Sequence, residues 1–588
     1  MPSLRICRLF LAACLLIGLP AASHAEIRTQ YHMDHDPELE VKPEIKGYSP
    51  KLAELWLQAL ARPEGEMQRS VADAIARGHA AGMPGLEPAA PRLVELVVNE
   101  KSHPAVRLAA AKALASLAAK ETTPELMATA RKAGTELRLI VEPALADWKA
   151  EGFIPDWMAR LSAANPRPRD LILAIRCLGT IGHTPAVGRL LELVHDTKQR
   201  ADVRTAAARA AGQLRDQGNE PEVRKLIAGA KPSVLNRLCA VELLVRHAGT
   251  EPQELLLKFA VDPEPAIARI ALARLLEIDT QLVIPIAEAS MNSPDVHVRT
   301  HGSTAYIANP TPERMAVLAK LMDDPHPDLR RSISSSLLTL TKRPELDQPI
   351  RNAAVAMLGG PSWRGQEQSA LLLGSLDHEA AAARLFELLD SPRAEVEVAS
   401  AWAIKSLEIA EMLPMLLEKA QERTALKRKP GAFRNGDLPR GIDEETAHIF
   451  ELFGKLKYTA SEPLMRDHVA KQFELGEATR AAAIWNLGIF HAGVPDQGLA
   501  NKFMERINDM GPPPDMPKVV MMCFVSLGRM KAVSKRDEVR SKFNPDMSSN
   551  QDSEIRRWAV MQLFEEDLPP LRPRKHSLTD WFLTPLDE

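Results

Sequence analysis

One type of segment recurs along the chain, and this recurrence limits the possible folds more than any other feature. The segment has a short acidic or proline-containing turn, an arginine that usually follows valine or leucine, and an amphipathic helix rich in alanine and leucine. Copies begin at His103, Thr135, Ala201, Glu264, Pro294 and His326, and weaker copies begin at Ala394, Glu477 and Ser553. The marker arginines recur about every 30 to 35 residues, a period typical of stacked helical repeats. They are Arg107, Arg138, Arg169, Arg204, Arg237, Arg269, Arg299 and Arg330.

Between these helices lie partner segments with the same amphipathic character. Examples are APRLVELVVN from Ala90, VGRLLELV from Val187 and HEAAAARLFELLDS from His378. A helix with a single apolar stripe cannot bury that stripe alone, so pairs must stack on pairs in a continuous array. The chain is poor in one class of residue that strands favour, since aromatic residues are only 4% of it. The sequence therefore predicts an all-α protein, an α-solenoid of about fourteen helix pairs.

The spacing and the pattern D/P-x-V-R-x-x-A-A-x-A-L resemble HEAT repeats, in particular the short kind first named from phycobilisome lyases. The resemblance covers residues 49–569; it is strong over 103–340 and weak beyond Thr424. It implies a surface that binds another macromolecule, because HEAT arrays mostly do so and share no catalytic residues. The lyase activity in the name of that repeat type is not implied.

The first 25 residues have the features of a secretory signal peptide. Arg5 and Arg8 precede an apolar stretch over 9–19, and Ser23-His24-Ala25 fits a cleavage site. We therefore expect an exported protein, either periplasmic or extracellular. A second interpretation is a lipoprotein acylated at Cys14, because residues 11–14 resemble a lipobox, and only acylation would place the protein on a membrane. No later stretch is apolar and long enough to span a bilayer.

Charge and cysteine content exclude other classes of protein. The net charge of −3 becomes −5 once the two arginines of the signal segment are removed, which argues against nucleic acid as a partner. Cys177, Cys239 and Cys523 are odd in number and widely spaced, so the sequence predicts buried free thiols and no disulfide framework.

The stretch RTALKRKPGAFRNGDLPR interrupts the repeats with six basic residues, two glycines and two prolines. We predict a basic loop at 423–442 that contacts an acidic protein or an anionic polymer, with a solvated insertion as the alternative. Its candidate partner-binding residues are Arg423, Lys427, Arg428, Lys429, Arg434 and Arg440. The predicted divisions are a signal peptide (1–25), a polar leader (26–48), HEAT-like repeats (49–422), the basic loop (423–442), divergent helical repeats (443–569) and an extended tail (570–588).

Three further features are the marker arginines, the cluster at 31–36 and the aromatic residues of the tail. The first two each allow two interpretations. The marker arginines could form an anion-binding stripe, but pairing with acidic residues between repeats is favoured; the acids nearby are Glu136, Asp202, Asp295 and Asp328. The two histidines and two aspartates at 31–36 could hold a transition metal, but a polar, partly extended leader is favoured. Trp581 and Phe582 could cover the apolar end of the last repeat.

The sequence offers no recognisable catalytic or cofactor site. Nucleotide-binding loops, nucleophile elbows, CxxC pairs and haem attachment motifs do not occur, and Ala382 stands where a zinc-protease helix beginning at His378 would need its second histidine. We therefore expect no enzyme, cofactor or metal, and an exported scaffold that binds another protein through its concave surface and the basic loop. The alternatives are an accessory subunit or rare enzyme acting on an envelope substrate, and a lipid-anchored structural protein.

Overall fold

The computed structural model describes residues 29–48, 51–429 and 437–577, and they divide into two units. The N-terminal unit comprises Ile45–Ala305 together with the chain from Lys575. The C-terminal unit comprises Tyr306–Arg574 together with the chain up to Glu44. The expected signal peptide, Cys14, Arg434, Trp581 and Phe582 all lie outside the described residues.

The described residues form thirty α-helices and four very short strands. Sixteen of the helices begin in the N-terminal unit: α1 (Leu52–Leu60), α2 (Gly65–Ala80), α3 (Ala90–Val98), α4 (Pro104–Ser116), α5 (Thr123–Lys132), α6 (Thr135–Asp147), α7 (Ile154–Ser162), α8 (Pro168–Ile181), α9 (Val187–His195), α10 (Ala201–Leu214), α11 (Glu220–Leu226), α12 (Val234–Glu242), α13 (Thr250–Ala260), α14 (Pro265–Ile278), α15 (Ile284–Met291) and α16 (Val296–Ala308).

The C-terminal unit contains the other fourteen: α17 (Pro312–Lys320), α18 (Pro327–Leu340), α19 (Pro344–Leu358), α20 (Trp363–Ser375), α21 (Ala382–Leu388), α22 (Ala394–Leu407), α23 (Leu413–Arg428), α24 (Asp437–Lys455), α25 (Glu462–Asp467), α26 (Glu477–Phe490), α27 (Gln497–Ile507), α28 (Pro517–Arg529), α29 (Arg536–Ser541) and α30 (Gln551–Phe564). Strand β1 (Ile45–Gly47) pairs in parallel with β4 (Lys575–Ser577), and β2 (Ser548–Ser549) pairs in parallel with β3 (Arg572–Pro573).

The helices alternate between a first and a second helix of a pair, so thirty helices make about fifteen pairs. Within the N-terminal unit, even-numbered helices pack in a row from α2 to α14, and each also packs on the helix before it. Within the C-terminal unit, even-numbered helices form a second row from α18 to α30. The prediction of an all-α solenoid of HEAT-like pairs is confirmed, and the nine recurring segments coincide with even-numbered helices.

The turns between pairs repeat one backbone geometry. Many first helices follow a single 3-10 turn, such as Lys120–Thr122 before α5 and Glu151–Phe153 before α7. Two residues before the turn lies a left-handed residue, such as Ala118 at φ 51° or Lys149 at φ 61°. The next amide then bonds back five residues, as from Ala119 N–H to the Leu114 carbonyl at 3.2 Å. This bond satisfies a carbonyl that the helix end would leave free.

Prolines begin many of the helices, where a missing N–H has no cost. Pro104, Pro168 and Pro265 are the first residues of α4, α8 and α14. The prolines therefore mark boundaries in a chain that is nearly all helical, as the sequence predicts. Pro143 lies inside α6 and is an exception.

Candidate partner-binding face

The predicted basic loop begins later than expected. Helix α23 continues to Arg428, so Arg423 and Lys427 are helical and buried. The Arg423 guanidinium donates to the Glu445 carboxylate at 3.0 Å, and Lys427 Nζ donates to the Leu475 carbonyl at 3.0 Å and to Thr479 Oγ1 at 2.6 Å. These two cations therefore hold neighbouring helices together and present no charge to a partner. The expectation that they belong to an exposed loop is wrong, because acids on α24 face this end of α23.

The remaining basic residues of the segment differ in their surroundings. Arg428 is paired with Asp467 at 2.6 Å. Lys429 is exposed. Arg440 lies at the start of α24, 84% exposed, and pairs with Glu444 at 2.8 Å. Residues 430–436, including Arg434, are outside the described residues.

A different surface has the properties of a polypeptide-binding site. Residues 30–42 of the leader lie over the row formed by α22, α24, α26, α28 and α30, and they contact all five helices. The contacts do not follow the order of the row, because Asp34 reaches α28 and α30 whereas Asp36 reaches α26. We call this surface the leader-binding face.

At the first end of the face, Lys405 on α22 forms a buried ion pair with Glu451 on α24. Lys405 Nζ donates to Glu451 Oε2 at 2.7 Å and to His448 Nδ1 at 3.1 Å, and it also bonds to the carbonyl of Gln30. The other oxygen of Glu451 accepts the backbone N–H of Met33 at 2.9 Å. The side chains of the pair are 1% and 0% exposed. The pair therefore holds the main chain of the leader at two points.

The electrostatics of this cluster follow from its burial. Burial is the main cause that lowers the pKa of His448 to about 4, so this imidazole is neutral and can accept the Lys405 bond. Burial also lowers the pKa of Lys405. For Glu451, burial acts to raise the pKa, but the adjacent His448 ring and the bond from Lys405 outweigh it and leave the pKa below its usual value. The result is an ionised pair beside a neutral ring.

Tyr31 is the aromatic anchor of the leader. Its ring stacks on the His448 ring with centroids 4.6 Å apart, and Lys518 Nζ lies 4.6 Å from its centroid. The hydroxyl is buried and has no hydrogen-bond partner, and burial is the main cause of a raised pKa. The ring therefore binds by stacking and by attraction to the lysine cation, while its hydroxyl contributes no bond.

Two aspartates fix the middle of the leader. Asp34 pairs with Lys518 on α28 at 3.1 Å. Asp36 accepts the Trp485 indole N–H of α26 at 2.8 Å and forms an ion pair with Arg529 of α28. The metal alternative for this segment has no structural support, because the described residues contain no group of three or more possible ligands.

The leader is also held through its main chain, at its middle and at its far end. Gln551 Nε2 donates to the Asp34 carbonyl at 2.8 Å, and the Lys42 N–H donates to Ser549 Oγ at 3.0 Å. A face with this arrangement can bind an acidic polypeptide segment: main-chain bonds set its direction, and an aromatic slot and two cations select its side chains.

The marker arginines have a structural role. Arg107 and Arg204 donate to the carbonyls of Val97 and Val194 at 2.9 and 2.8 Å, near the C-terminal ends of α3 and α9. Cations are favoured there by the helix dipole. Pairing between repeats also occurs, as between Arg169 and Glu136 at 3.0 Å. The favoured structural interpretation is therefore supported, with carbonyl capping as an element that the sequence analysis did not anticipate.

Two smaller expectations concern cysteines and membranes. Cys177, Cys239 and Cys523 are buried and free, as predicted, and burial is the main cause that raises the pKa of each thiol. Over the described ranges, no helix combines the length and the apolar character needed to cross a bilayer.

Sequence reasoning missed the leader-binding face. Trp485 and Lys405 lie in the weak copies of the repeat, and their positions on the helices do not show that a segment over 370 residues earlier would contact them. The available signal was the dense pattern of acids and aromatic rings at 31–36, which was interpreted as a polar leader or a metal site. Charge complementarity with Lys518 and Arg529 could have suggested a contact.

Comparisons with known proteins identify no function for this chain. No protein-family model and no curated protein matches this chain. Among solved structures, yeast importin-β (Kap95p) is similar with TM-score 0.46 and 11% identity over 87% of this chain and 72% of that one. Kap121p bound to Ste12p is similar with TM-score 0.47 and 12% identity over 88% of this chain and 57% of that one. At these values the similarities identify no family and no partner. The helix order and packing within each unit are those of an α-solenoid of HEAT-like pairs.

Proposed function

We propose that this protein is an exported scaffold that binds another protein, with no catalysis of its own, and that the leader-binding face is its binding surface. The observation that carries the proposal is that this face already holds a segment of polypeptide, the leader, through both main-chain and side-chain contacts. Export is supported by the signal-like features of residues 1–25. A stacked helical array supports a binding role because it offers one long surface.

The proposal changes where the partner contact lies. The earlier hypothesis placed it on a concave surface and on the basic segment at 423–442. Arg423 and Lys427 serve the packing of α23 on α24, so only Arg428, Lys429 and Arg440, with Arg434, stay candidates for a second contact. A partner that used them would contact them in addition to the leader-binding face.

Site-specific photo-crosslinking tests the proposal. A photoreactive residue at Gln551, an exposed residue of the face itself, or at His32, exposed on the leader, is compared with one at Lys112, an exposed position on α4. Expression in the native host, with the chain's own N-terminal region, keeps the natural compartment. We expect one discrete protein to be captured from Gln551 and not from Lys112. Equal capture at Gln551 and Lys112, or capture at neither Gln551 nor His32, would reject this face as the binding surface.

The same sample tests export and anchoring. A mature chain that starts at Glu26 and a chain acylated at Cys14 differ in intact mass. We expect the unacylated chain in the periplasmic or extracellular fraction. A measured mass that includes a lipid would favour the anchored form over the soluble one. A measured mass that matches the uncleaved chain would contradict export.

A further inference from the structure

We infer that the leader is a displaceable intramolecular ligand, and that the leader-binding face takes from its partner an acidic segment with the same anchors: an aromatic residue, an apolar residue two positions later, then two acids. This inference rests on the proposed function and adds the chemistry of the partner and a mode of regulation. The partner segment and the leader compete for one surface, so the leader keeps the face closed to weak ligands.

The leader is seated shallowly, which makes its release possible. Of its residues 29–44, Met33 alone is buried, and the others are half-buried or exposed. Over 29–44 the leader forms no strand, and the 3-10 turn at Met33–His35 is its only regular structure. A segment held by one buried side chain and a few polar contacts can leave without unfolding the helices beneath it.

Two cations of the face would lose their ion-pair partners if the leader left. Lys518 and Arg529 form their ion pairs with Asp34 and Asp36, and across the described residues no other carboxylate lies within ion-pair distance of either cation. Lys405 differs, because Glu451 stays beside it when the leader departs. Release of the leader therefore leaves two unpaired cations on α28, next to a neutralised pair on α22 and α24. The two unpaired cations favour an acidic segment.

The main-chain contacts do not depend on the sequence of the ligand. Lys405 bonds to the carbonyl of Gln30, Glu451 accepts the N–H of Met33 three residues later, and Gln551 donates to the carbonyl of the next residue, Asp34. Any segment that makes the same 3-10 turn can provide these groups in the same order. Specificity then comes from the slot beside His448, the pocket of Met33 and the two cations.

Because the leader is covalently attached to the face it covers, a partner needs a minimum concentration or affinity to displace it. A tethered segment reaches an effective concentration of the order of millimolar at its site, so a free segment of equal affinity must approach that concentration to replace it. A partner with further contacts, for example to the exposed Lys429 or Arg440, gains the advantage that displacement requires. The leader therefore favours the binding of partners that contact more than one surface.

The test uses a fluorescein-labelled peptide of residues 29–42 as a free ligand for the full mature chain. The wild type is compared with the double variant Asp34→Ala/Asp36→Ala, in which the leader loses both ion pairs. We expect the double variant to bind the peptide at least tenfold more tightly than the wild type, because its own leader competes less. A peptide with asparagine in place of both aspartates should bind at least tenfold more weakly, and binding should weaken as salt is raised.

Controls separate the outcomes. A scrambled peptide of the same composition should not bind, and a second loosened variant, Tyr31→Ala/Met33→Ala, should behave as the first if both remain folded by circular dichroism. Failure of the 29–42 peptide to bind either folded variant, or equal binding of the scrambled peptide, overturns the inference. Dimers formed by exchanged leaders would also overturn it, since a second copy would then be the ligand. Capture of a partner at His32 without peptide binding would leave the proposed function standing.

Discussion

The two units bury charged side chains in different ways. In the N-terminal unit, Glu142 is buried but its partner Arg160 is 19% exposed, and Glu242 is 3% exposed while Arg209 is 58% exposed. In the C-terminal unit both partners are buried: Lys405 and Glu451 are 1% and 0% exposed, and Arg480 and Asp515 are both 0% exposed. An ion pair with one exposed side chain keeps much of its hydration. A fully buried pair loses its hydration, and this large cost must be offset by close attraction and hydrogen bonds in good geometry.

The comparison shows where function is to be sought in such an array. The N-terminal unit contains the strongest copies of the repeat, and α4 buries mostly alanines and leucine against its neighbours. The C-terminal unit contains the weak copies, and α22, α24, α26 and α28 carry the residues that hold the leader. The helices whose sequences depart from the repeat pattern therefore carry side chains that make contacts other than helix stacking.

The largest expected effect is removal of one buried partner. Lys405→Met leaves Glu451 buried without its cation, and we expect a loss of about 3–5 kcal/mol in the free energy of unfolding, measured by urea denaturation. Lys225→Met in the N-terminal unit is the matched control, because Lys225 forms an exposed pair with Glu222; there we expect a change of about 0.5 kcal/mol or less. Equal effects for the two variants would remove the distinction between the units.

A double variant sharpens this first prediction. Lys405→Met combined with Glu451→Leu removes both charges, so most of the loss should be recovered. If the double variant were less stable than Lys405→Met alone, the cost would come from packing and not from the unpaired charge.

The second effect is a dependence of stability on pH. The pKa of His448 is about 4 in the folded chain, below the ordinary value for histidine, because of burial. The unfolded chain therefore binds a proton more readily between about pH 6.5 and 4. The stabilisation is complete above that range and is lost as the pH falls through it, a change of about 3 kcal/mol. The measurement is the free energy of unfolding at a series of pH values.

A variant without the imidazole tests whether His448 causes the slope of the free energy of unfolding against pH. His448→Gln should flatten the dependence in this range, relative to the wild type, by the contribution of one proton. An unchanged slope in His448→Gln would show that another group is responsible.

The third effect tests what the units share, namely close approach of helices. A Cβ at Gly454 would lie 1.9 Å from Asn486 Oδ1, and a Cβ at Gly212 would lie 2.1 Å from the Glu242 carbonyl. We expect Gly454→Ala and Gly212→Ala each to cost about 1–3 kcal/mol in thermal or urea unfolding. Gly188→Ala on α9 has no atom within 4 Å and should stabilise by about 0.5–1 kcal/mol. Tolerance of alanine at Gly212 or Gly454 would contradict the close approach.

The smallest expected effect concerns the leader itself. Asp36→Asn weakens an ion pair at a partly exposed position, so the free energy of unfolding should fall by about 1 kcal/mol or less. Hydrogen exchange of a peptide covering 29–42 should nevertheless become faster. Asp202→Asn, which loses an exposed pair with Arg200 in the N-terminal unit, should leave the exchange of that peptide unchanged. Slow exchange in Asp36→Asn would show that the acid does not hold the leader.

The sequence predicted the architecture because stacking is a local requirement. One apolar stripe on each helix and one proline or acidic turn before it can be read without knowing which residues meet later, and α4, α10 and α18 lie where the pattern placed them. The left-handed turn residues were missed, since Ala118 and Lys149 carry no glycine signal. The start of the basic segment was predicted wrongly, because the acid that binds Arg423 is Glu445 on α24, which lies beyond the segment in the sequence.

What the sequence alone determined is therefore the repeat: helices that must hide one face, spaced at the period of a pair. Only the tertiary structure decided which charges serve that packing and which serve a ligand. Arg423 and Lys518 are both cations in the divergent repeats, yet one is bound to Glu445 within the array and the other to Asp34 of a distant segment. Charge has no periodicity that reveals its partner, and a contact over several hundred residues exists only once the helices are stacked.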